Sequence, residues 1–328
     1  MNQKKRHHYI PIAYLKEFCA SDGRIFAYRK GAPDQELHLS PKEIAFERYY
    51  YSQPLADNKQ DNNKIEDAFS VIENLWPATV DGFRNCEPSS NANLTAFFQF
   101  LGMMRVRVPA TRDIVESALA ESVRSFARNL DRQGKLPPKP KGYENTLDQV
   151  EVSIDPHKSI HAMADLARGF SKVVDRLGFR VLHNRSDHTF ITSDNPVAYY
   201  DPDVPETSIV PYDINLMFGR IELLFPVNSN LLVVGRSDWK PSFSVSGMSY
   251  LHTADSQRVK RLNRLIARFG YRLVFSNTSA HRPLAKKYST TAPILETTIV
   301  KSDEGENLSF RSVFGPHKTK SKWVRPLN

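Results

Sequence analysis

The chain has 328 residues, of which 40% are hydrophobic and 25% are charged. These fractions are ordinary for a globular protein and exclude a disordered chain, and at this length the core needs neither disulfides nor a metal. The net charge of +9 favours polyanionic partners such as RNA or DNA.

The N-terminal part of the chain is predicted to begin with strands and to continue into helices. Residues 24–29 alternate in polarity and residues 46–51 are rich in aromatic side chains, and both patterns are typical of strands. A polar loop at 57–63 precedes an amphipathic helix, which Pro77 ends or kinks. The apolar block 94–104 indicates a second, buried helix.

A third helix is predicted over about 111–132, with Ile114, Leu119, Val123, Phe126 and Leu130 facing the core. The segment that follows, 134–149, is rich in Pro, Gly and Lys, which is typical of a surface linker.

Beyond the linker, the pattern predicts a helix over about 155–177, then strands, then a basic amphipathic helix over about 255–268. Because helices and strands fall in separate blocks, we expect an α+β fold. A helical block at about 60–178 would pack with a mainly antiparallel sheet, built from the N-terminal strands and the strands of 179–277.

Two domain organisations fit this pattern. We expect a single α+β domain over 1–316, followed by a basic tail at 317–328. The alternative is two lobes, 1–133 and 150–316, that the segment 134–149 joins.

The cysteine content and the hydropathy indicate the compartment. Cys19 and Cys86 are too few for a disulfide scaffold, so we expect a cytoplasmic location. No apolar run of about 18 residues is present, so no membrane span is expected. The N-terminus also lacks the apolar segment of a signal peptide.

Several residues are of types that acid–base or phosphate chemistry uses. His8 lies just before a short helix predicted to start at Pro11. An imidazole at this position can be a general acid, a general base or a metal ligand. Glu66 and Glu73 are seven residues apart on one predicted helix, so their carboxylates share a face. Arg107 follows the apolar helix and can bind a phosphate or a carboxylate. The structural alternatives are a packed terminus, a solvated helix face and a cation at a helix C-terminus.

Asp194 and Asn195 belong to the segment 192–196, which follows a predicted strand. Residues of these types fold back on their own backbone in tight turns, which is the structural explanation of the segment. The functional explanation is that the strand end presents a carboxylate and an amide into a cleft.

Basic residues gather in the predicted helix near the C-terminus and in the tail. The candidate nucleic-acid contacts there are Arg258, Arg261, Arg264, Arg268, Lys318 and Lys320. Charge alone does not distinguish nucleic acid from another polyanion.

Several segments, in this order, resemble the DUF4238 family, which is mostly bacterial. The matching elements are His8-Tyr9-Ile10-Pro11 with Tyr14-Leu15 and Phe18, the strand Ile25 to Tyr28, the glutamates Glu66 and Glu73, Arg107-Val108-Pro109 with Arg112, Thr192 to Val197, Phe225-Pro226-Val227 and Asn263. At Val227 the family more often has leucine. The resemblance spans about residues 6–277 and implies that His8, Glu66, Glu73, Arg107, Asp194 and Asn195 form one cluster. It supplies no activity.

Two main hypotheses follow for the function. An imidazole can move a proton, an arginine can stabilise charge on phosphate, and carboxylates can position a metal or a water. The first hypothesis is therefore a nucleic-acid-processing enzyme, most simply a nuclease, with a divalent metal left open as a cofactor. The alternative is a non-catalytic module that binds nucleic acid or a protein, with the cluster as a buried structural network.

Exposure distinguishes these hypotheses, because a cluster that lines an open pocket favours an enzyme and a covered cluster favours a structural role. A third hypothesis, a small-molecule hydrolase or transferase, predicts a deep and closed pocket. Whether the chain binds a second copy of itself also stays open at this point.

Overall fold

The computed structural model describes residues 4–56, 59–88, 91–139, 141–142, 147, 150–302 and 305–317. Part of the predicted linker, part of the polar loop at 57–63, and the tail residues Lys318 and Lys320 lie outside these ranges. Within them the predicted α+β class is confirmed, because helices combine with mostly antiparallel sheets.

The helices of the described chain follow the predicted order, but two of the predicted helices are each divided into two. Their bounds are α1 (Ile12–Lys16), α2 (Lys64–Glu73), α3 (Trp76–Arg84), α4 (Asn91–Val106), α5 (Pro109–Arg132), α6 (Pro156–His161), α7 (Met163–Val174), α8 (Lys240–Ser246), α9 (Ser256–Phe269) and α10 (Arg282–Lys287). Pro77 lies in the first turn of α3, where a missing N–H loses no intrahelical hydrogen bond. The amphipathic helix predicted after the polar loop is therefore two helices, α2 and α3. The helix predicted over 155–177 is also divided, with α6 and α7 meeting at Ala162.

The strands form two main sheets rather than one. Their bounds are β1 (Arg6–His8), β2 (Ile25–Arg29), β3 (Ala32–Leu39), β4 (Phe46–Arg48), β5 (Gln53–Pro54), β6 (Gln60–Asp61), β7 (Gly178–Asn184), β8 (Thr192–Ser193), β9 (Ala198–Tyr200), β10 (Glu222–Asn228), β11 (Leu231–Arg236), β12 (Ser249–Thr253), β13 (Leu273–Ser276), β14 (Ala292–Ser302) and β15 (Gly305–Gly315).

The larger sheet has the strand order β12-β7-β11-β10-β9 and is antiparallel except at the β12–β7 pair. The second sheet, β3-β2-β13-β8, is antiparallel throughout. In that sheet the N-terminal strand β2 pairs with β13, which follows α9, so the sheet joins segments from both of the lobes considered above. Strand pairs β1–β4, β5–β6 and β14–β15 form two-stranded ribbons, and the hairpin β14–β15 was not foreseen from the pattern.

The predicted inward face of α5 is wrong at three of its five residues, since Ile114 and Leu130 are half-buried and the other three are exposed. Leu119, Val123 and Phe126 are 40%, 49% and 64% exposed, whereas Asp113 and Glu116 are buried. The helix buries this polar face because the two carboxylates form ion pairs with arginines at 2.7 and 3.1 Å. An apolar periodicity on α5 therefore did not identify the face that packs.

Tyr14 of α1 connects the two sheets at the centre of the aromatic core. Its ring packs against Trp76 and Phe225 at centroid distances of 6.0 and 5.6 Å. The Tyr14 hydroxyl donates to the Pro226 carbonyl of β10 at 2.8 Å and lies 2.6 Å from the Thr192 hydroxyl of β8. Since β10 and β8 belong to different sheets, one buried hydroxyl bonds to both.

Replacing Tyr14 with phenylalanine tests this connection. Tyr14→Phe keeps the ring and removes only the hydroxyl, so we expect a loss of about 1–3 kcal/mol in the free energy of unfolding. Urea denaturation followed by circular dichroism measures it. Tyr49→Phe is the control, because the Tyr49 side chain is exposed. Equal stability of the two variants would show that the hydroxyl does not hold the sheets together.

Candidate functional site

The β1–β4 ribbon places His8 beside two arginines. In this antiparallel pair Arg6 lies opposite Arg48, and His8 lies opposite Phe46. Because successive side chains of a strand point to opposite faces, these four residues share one face of the ribbon. The Arg6 guanidinium is 4.9 Å from the centre of the Phe46 ring, and the His8 ring is 5.4 Å from it. We call this face the basic ribbon.

Arg107, in the turn after α4, lies beneath the ribbon and is buried. Its guanidinium donates to the Glu73 carboxylate at 2.5 Å and to the backbone carbonyl of His8. It also donates to the Tyr51 hydroxyl at 3.3 Å and lies 4.5 Å from the centre of the Phe69 ring. The ion pair with Glu73 and the bond to the ribbon therefore bring α2, α4 and β1 to one point.

Glu66 lies two turns before Glu73 on α2, within the electrostatic influence of the same ion pair. Burial is the main cause that raises the pKa of Glu66 to about 7, with Arg107 lowering the pKa and Glu73 raising it. For His8, burial is the main cause that lowers the pKa, and the positive charge of Arg107 lowers it further. At neutral pH His8 is thus uncharged, whereas Glu66 holds a proton about half of the time.

Two buried atoms of this group have no hydrogen-bond partner among the described residues: Nε2 of His8 and Oε1 of Glu66. Buried polar atoms are nearly always paired, so such atoms mark places where water or a ligand binds. We call His8, Glu66, Glu73 and Arg107 the acid–base cluster.

Asp194 and Asn195 belong to a second group, so the structure does not bring all six residues together. The Asp194 carboxylate accepts hydrogen bonds from the backbone N–H groups of Tyr271 and Arg272, both at 2.8 Å. The Asn195 amide donates to the Phe269 carbonyl at 2.7 Å. Both side chains therefore hold the connection from α9 to β13, and both are buried. The contacts therefore differ from the single cluster that the resemblance implied, because Asp194 binds backbone N–H groups and the Asn195 amide nitrogen donates to a backbone carbonyl and to the Tyr212 hydroxyl.

Three arginines of the basic helix α9 contact Glu206. Arg261 and Arg264 lie 3.6 and 3.1 Å from the Glu206 carboxylate, and Arg268 donates to the Glu206 backbone carbonyl. These contacts fix α9 to the loop before β10, and of the four candidate arginines Arg258 alone makes no contact with Glu206.

The basic ribbon presents two arginines whose charge no carboxylate of the described chain neutralises. Neither Arg6 nor Arg48 forms an ion pair in the part of the chain that the structure describes, and both are exposed. Like charges directly opposite each other in a sheet are destabilising, so this pair is a candidate anion site. Sequence reasoning missed Arg48 because its proximity to Arg6 depends on a strand register that the pattern does not reveal.

Two open cavities border β4. The first, of about 620 Å³, has Arg48 and Tyr49 in its wall, and the second, of about 760 Å³, has Phe46. Both include Arg272 and His317, so they adjoin. The acid–base cluster lines neither cavity. Arg48 and Phe46 of the basic ribbon thus border the two cavities around β4.

Two further features were sought among the described residues. There, no three His, Cys, Asp or Glu side chains group closely enough to hold a metal ion. A search of the same residues also identifies no helix with the length and apolar character needed to cross a bilayer.

The fold and the cluster define an α+β protein with an acid–base cluster under a basic strand ribbon. The chain matches the family described as "Protein of unknown function (DUF4238)" over residues 6–280. It therefore belongs to the DUF4238 family, as the resemblance of its motifs indicated. No curated protein and no solved structure matches the chain.

The raised pKa of Glu66 predicts how stability depends on pH. The folded state binds this proton more tightly than the unfolded chain, so the carboxyl lowers stability as pH rises from about 4.5 to about 7. Glutamine cannot ionise. Glu66→Gln is therefore expected to be more stable than the wild type at pH 8, by up to about 3 kcal/mol, and about equal to it at pH 4.

Urea denaturation at the two pH values measures this difference. Asp67→Asn is the matched control, because Asp67 is on the exposed side of the same helix. A gain of equal size at both pH values would contradict the assignment of a buried, proton-binding carboxyl.

Proposed function

We propose that the protein binds a nucleic-acid strand on the basic ribbon and hydrolyses its phosphodiester bonds. The observation that carries the proposal is the position of His8, which shares a strand face with Arg6 and Arg48 and adjoins the ion pair of Arg107 and Glu73. A proton-transfer group next to an unneutralised pair of arginines suits a phosphodiester substrate.

The surface around β4 supports binding of a single strand. Arg6 and Arg48 offer two guanidiniums to successive phosphates, and Arg29 adds a third in the wall of the second cavity. Tyr49 is 41% exposed at the edge of the first cavity and presents a ring on which a base can stack. Binding through phosphate contacts and stacking is independent of sequence.

The cluster supplies two groups in complementary protonation states. Neutral His8 can accept the proton of an attacking water, and the protonated form of Glu66 can donate a proton to the leaving oxygen. Water then bonds to phosphorus while the bond from phosphorus to the leaving oxygen breaks. Arg107 is wholly buried, so it acts as a positioning residue that orients Glu73 and the His8 backbone.

A cleavage assay tests the catalytic part of the proposal. Labelled single- and double-stranded RNA and DNA are incubated with the protein in Mg²⁺, in Mn²⁺ and in EDTA. We expect cleavage of a single strand by the wild type and a loss of about 100-fold or more in His8→Ala and in Glu66→Gln. Asp67→Asn serves as the control and should cleave like the wild type. Cleavage that persists in both cluster variants would exclude these residues as the acid and the base.

A salt titration tests the binding part separately. Arg6→Gln combined with Arg48→Gln should weaken binding to all sequences alike and reduce the slope of log affinity against log salt by about 1–2 units. The matched control is Arg261→Gln with Arg264→Gln, a pair that shares contacts with the Glu206 carboxylate. A larger effect from the α9 pair would place the strand on α9 instead of the ribbon.

A second function is a non-catalytic nucleic-acid binder, and one observation favours it. Nε2 of His8 and Oε1 of Glu66 are both covered, and the Arg107 side chain between α2 and the ribbon has no exposed surface. A covered cluster suits a structural network that holds the ribbon in place. Binding without cleavage in the two assays above would establish this function.

A further inference from the structure

A second reactive group lies away from the cluster, where α3 ends near the edge of the larger sheet. Cys86 follows α3 by two residues and is exposed, and its Sγ is 3.5 Å from Nε2 of His183 on β7. His252 on β12 lies directly opposite His183, with the two rings 5.1 Å apart. A thiol within hydrogen-bonding distance of an imidazole is the arrangement of an activated cysteine nucleophile.

The charged groups around this pair are mainly basic. Burial is the main cause that lowers the pKa of His183, and the charges of His252 and Arg185 lower it further, so the imidazole is neutral and can accept the thiol proton. A hydrogen bond to the Phe83 carbonyl opposes this by raising the pKa. Arg185 is exposed and forms no ion pair among the described residues.

Two other titratable groups face the sulfur from neighbouring elements. Tyr250 donates its hydroxyl to the Glu87 carbonyl at 2.6 Å, and burial raises its pKa to about 12, so it stays uncharged at neutral pH. Glu87 is the acidic neighbour and, like Arg185, is exposed to solvent.

We propose that Cys86 and His183 form a nucleophile–base pair that exchanges with small disulfides bearing carboxylates. His183 accepts the thiol proton, and the Cys86 thiolate attacks one sulfur of the disulfide. A new bond forms between that sulfur and Cys86, the original disulfide bond breaks, and the second sulfur leaves as a thiolate that takes up a proton. Arg185 favours a carboxylate-bearing partner because its guanidinium acts on the site and forms no ion pair among the described residues.

Cys19 provides an internal comparison for the reactivity of Cys86. Cys19, the other cysteine, donates its thiol to the Leu15 carbonyl at 3.6 Å. Burial raises the pKa of Cys19 to about 11, so almost none of it is thiolate at neutral pH. Cys19 should therefore be unreactive under conditions in which Cys86 exchanges.

The test incubates the reduced, folded protein with glutathione disulfide at pH 7 and follows each cysteine by peptide mass spectrometry. We expect Cys86 to form the mixed disulfide roughly tenfold or more faster than the same cysteine in urea-unfolded protein, with Cys19 unmodified. Cystamine, a disulfide with amines in place of carboxylates, should react more slowly than glutathione disulfide. The unfolded reference uses the wild-type chain, so the test does not depend on the folding of a variant.

Two variants assign the roles of the neighbours. His183→Gln should reduce the Cys86 rate roughly tenfold or more at pH 7 and should move the rise of the rate to higher pH. Arg185→Gln should reduce the preference for glutathione disulfide over cystamine, whereas Lys172→Gln, which replaces an exposed cation of α7, should preserve it. A folded Cys86 no faster than the unfolded one, or a folded His183→Gln variant at the wild-type rate, would overturn the proposal.

Discussion

The buried guanidinium of Arg107 is the constraint on which the arrangement of the cluster depends. An arginine keeps its charge at any pH a protein meets, and its five N–H donors have a fixed, planar geometry. Once buried, the group must find acceptors around it, and here they come from Glu73, Tyr51 and the His8 backbone. These acceptors lie on segments that are distant in sequence, so satisfying one side chain fixes the ribbon, α2 and α4 relative to one another.

The same principle holds where the two sheets meet the helices. Asp194 receives the backbone N–H groups that begin β13, and Lys30 donates to the Ala267 carbonyl at the end of α9. Arg272 donates to Glu47 of β4 and to Asp113 of α5 at 2.8 and 2.7 Å. Apolar packing has no preferred direction, whereas each of these polar side chains bonds to particular atoms. Directional bonds of this kind specify which elements meet, and the burial of Asp113 explains why α5 turns its apolar residues outward.

The parts of the fold that were predictable are those whose signal is local. The stripe of Val259, Leu262 and Leu265 identifies α9 because helical periodicity is a property of one segment. The pairing of β2 with β13 was not accessible in this way, because it joins residues almost 250 positions apart. For the site, the resemblance supplied His8, Glu66, Glu73 and Arg107 but also grouped Asp194 with them. Nothing local distinguishes a carboxylate that binds backbone from one that faces a ligand.

Loss of contact with water explains the shifted pKa values of both titratable groups in the cluster. The pKa of Glu66 is raised and that of His8 is lowered mainly because both groups lose contact with water. A fully open cluster would restore both pKa values toward those of solvated side chains, and Glu66 would then be ionised at neutral pH. Cover over the cluster therefore maintains these protonation states, and it also suits the structural role of a buried polar network. The ribbon contributes His8 and the carbonyl that accepts from Arg107, and it also carries Arg6 and Arg48, so one element joins the cluster to the exposed arginines.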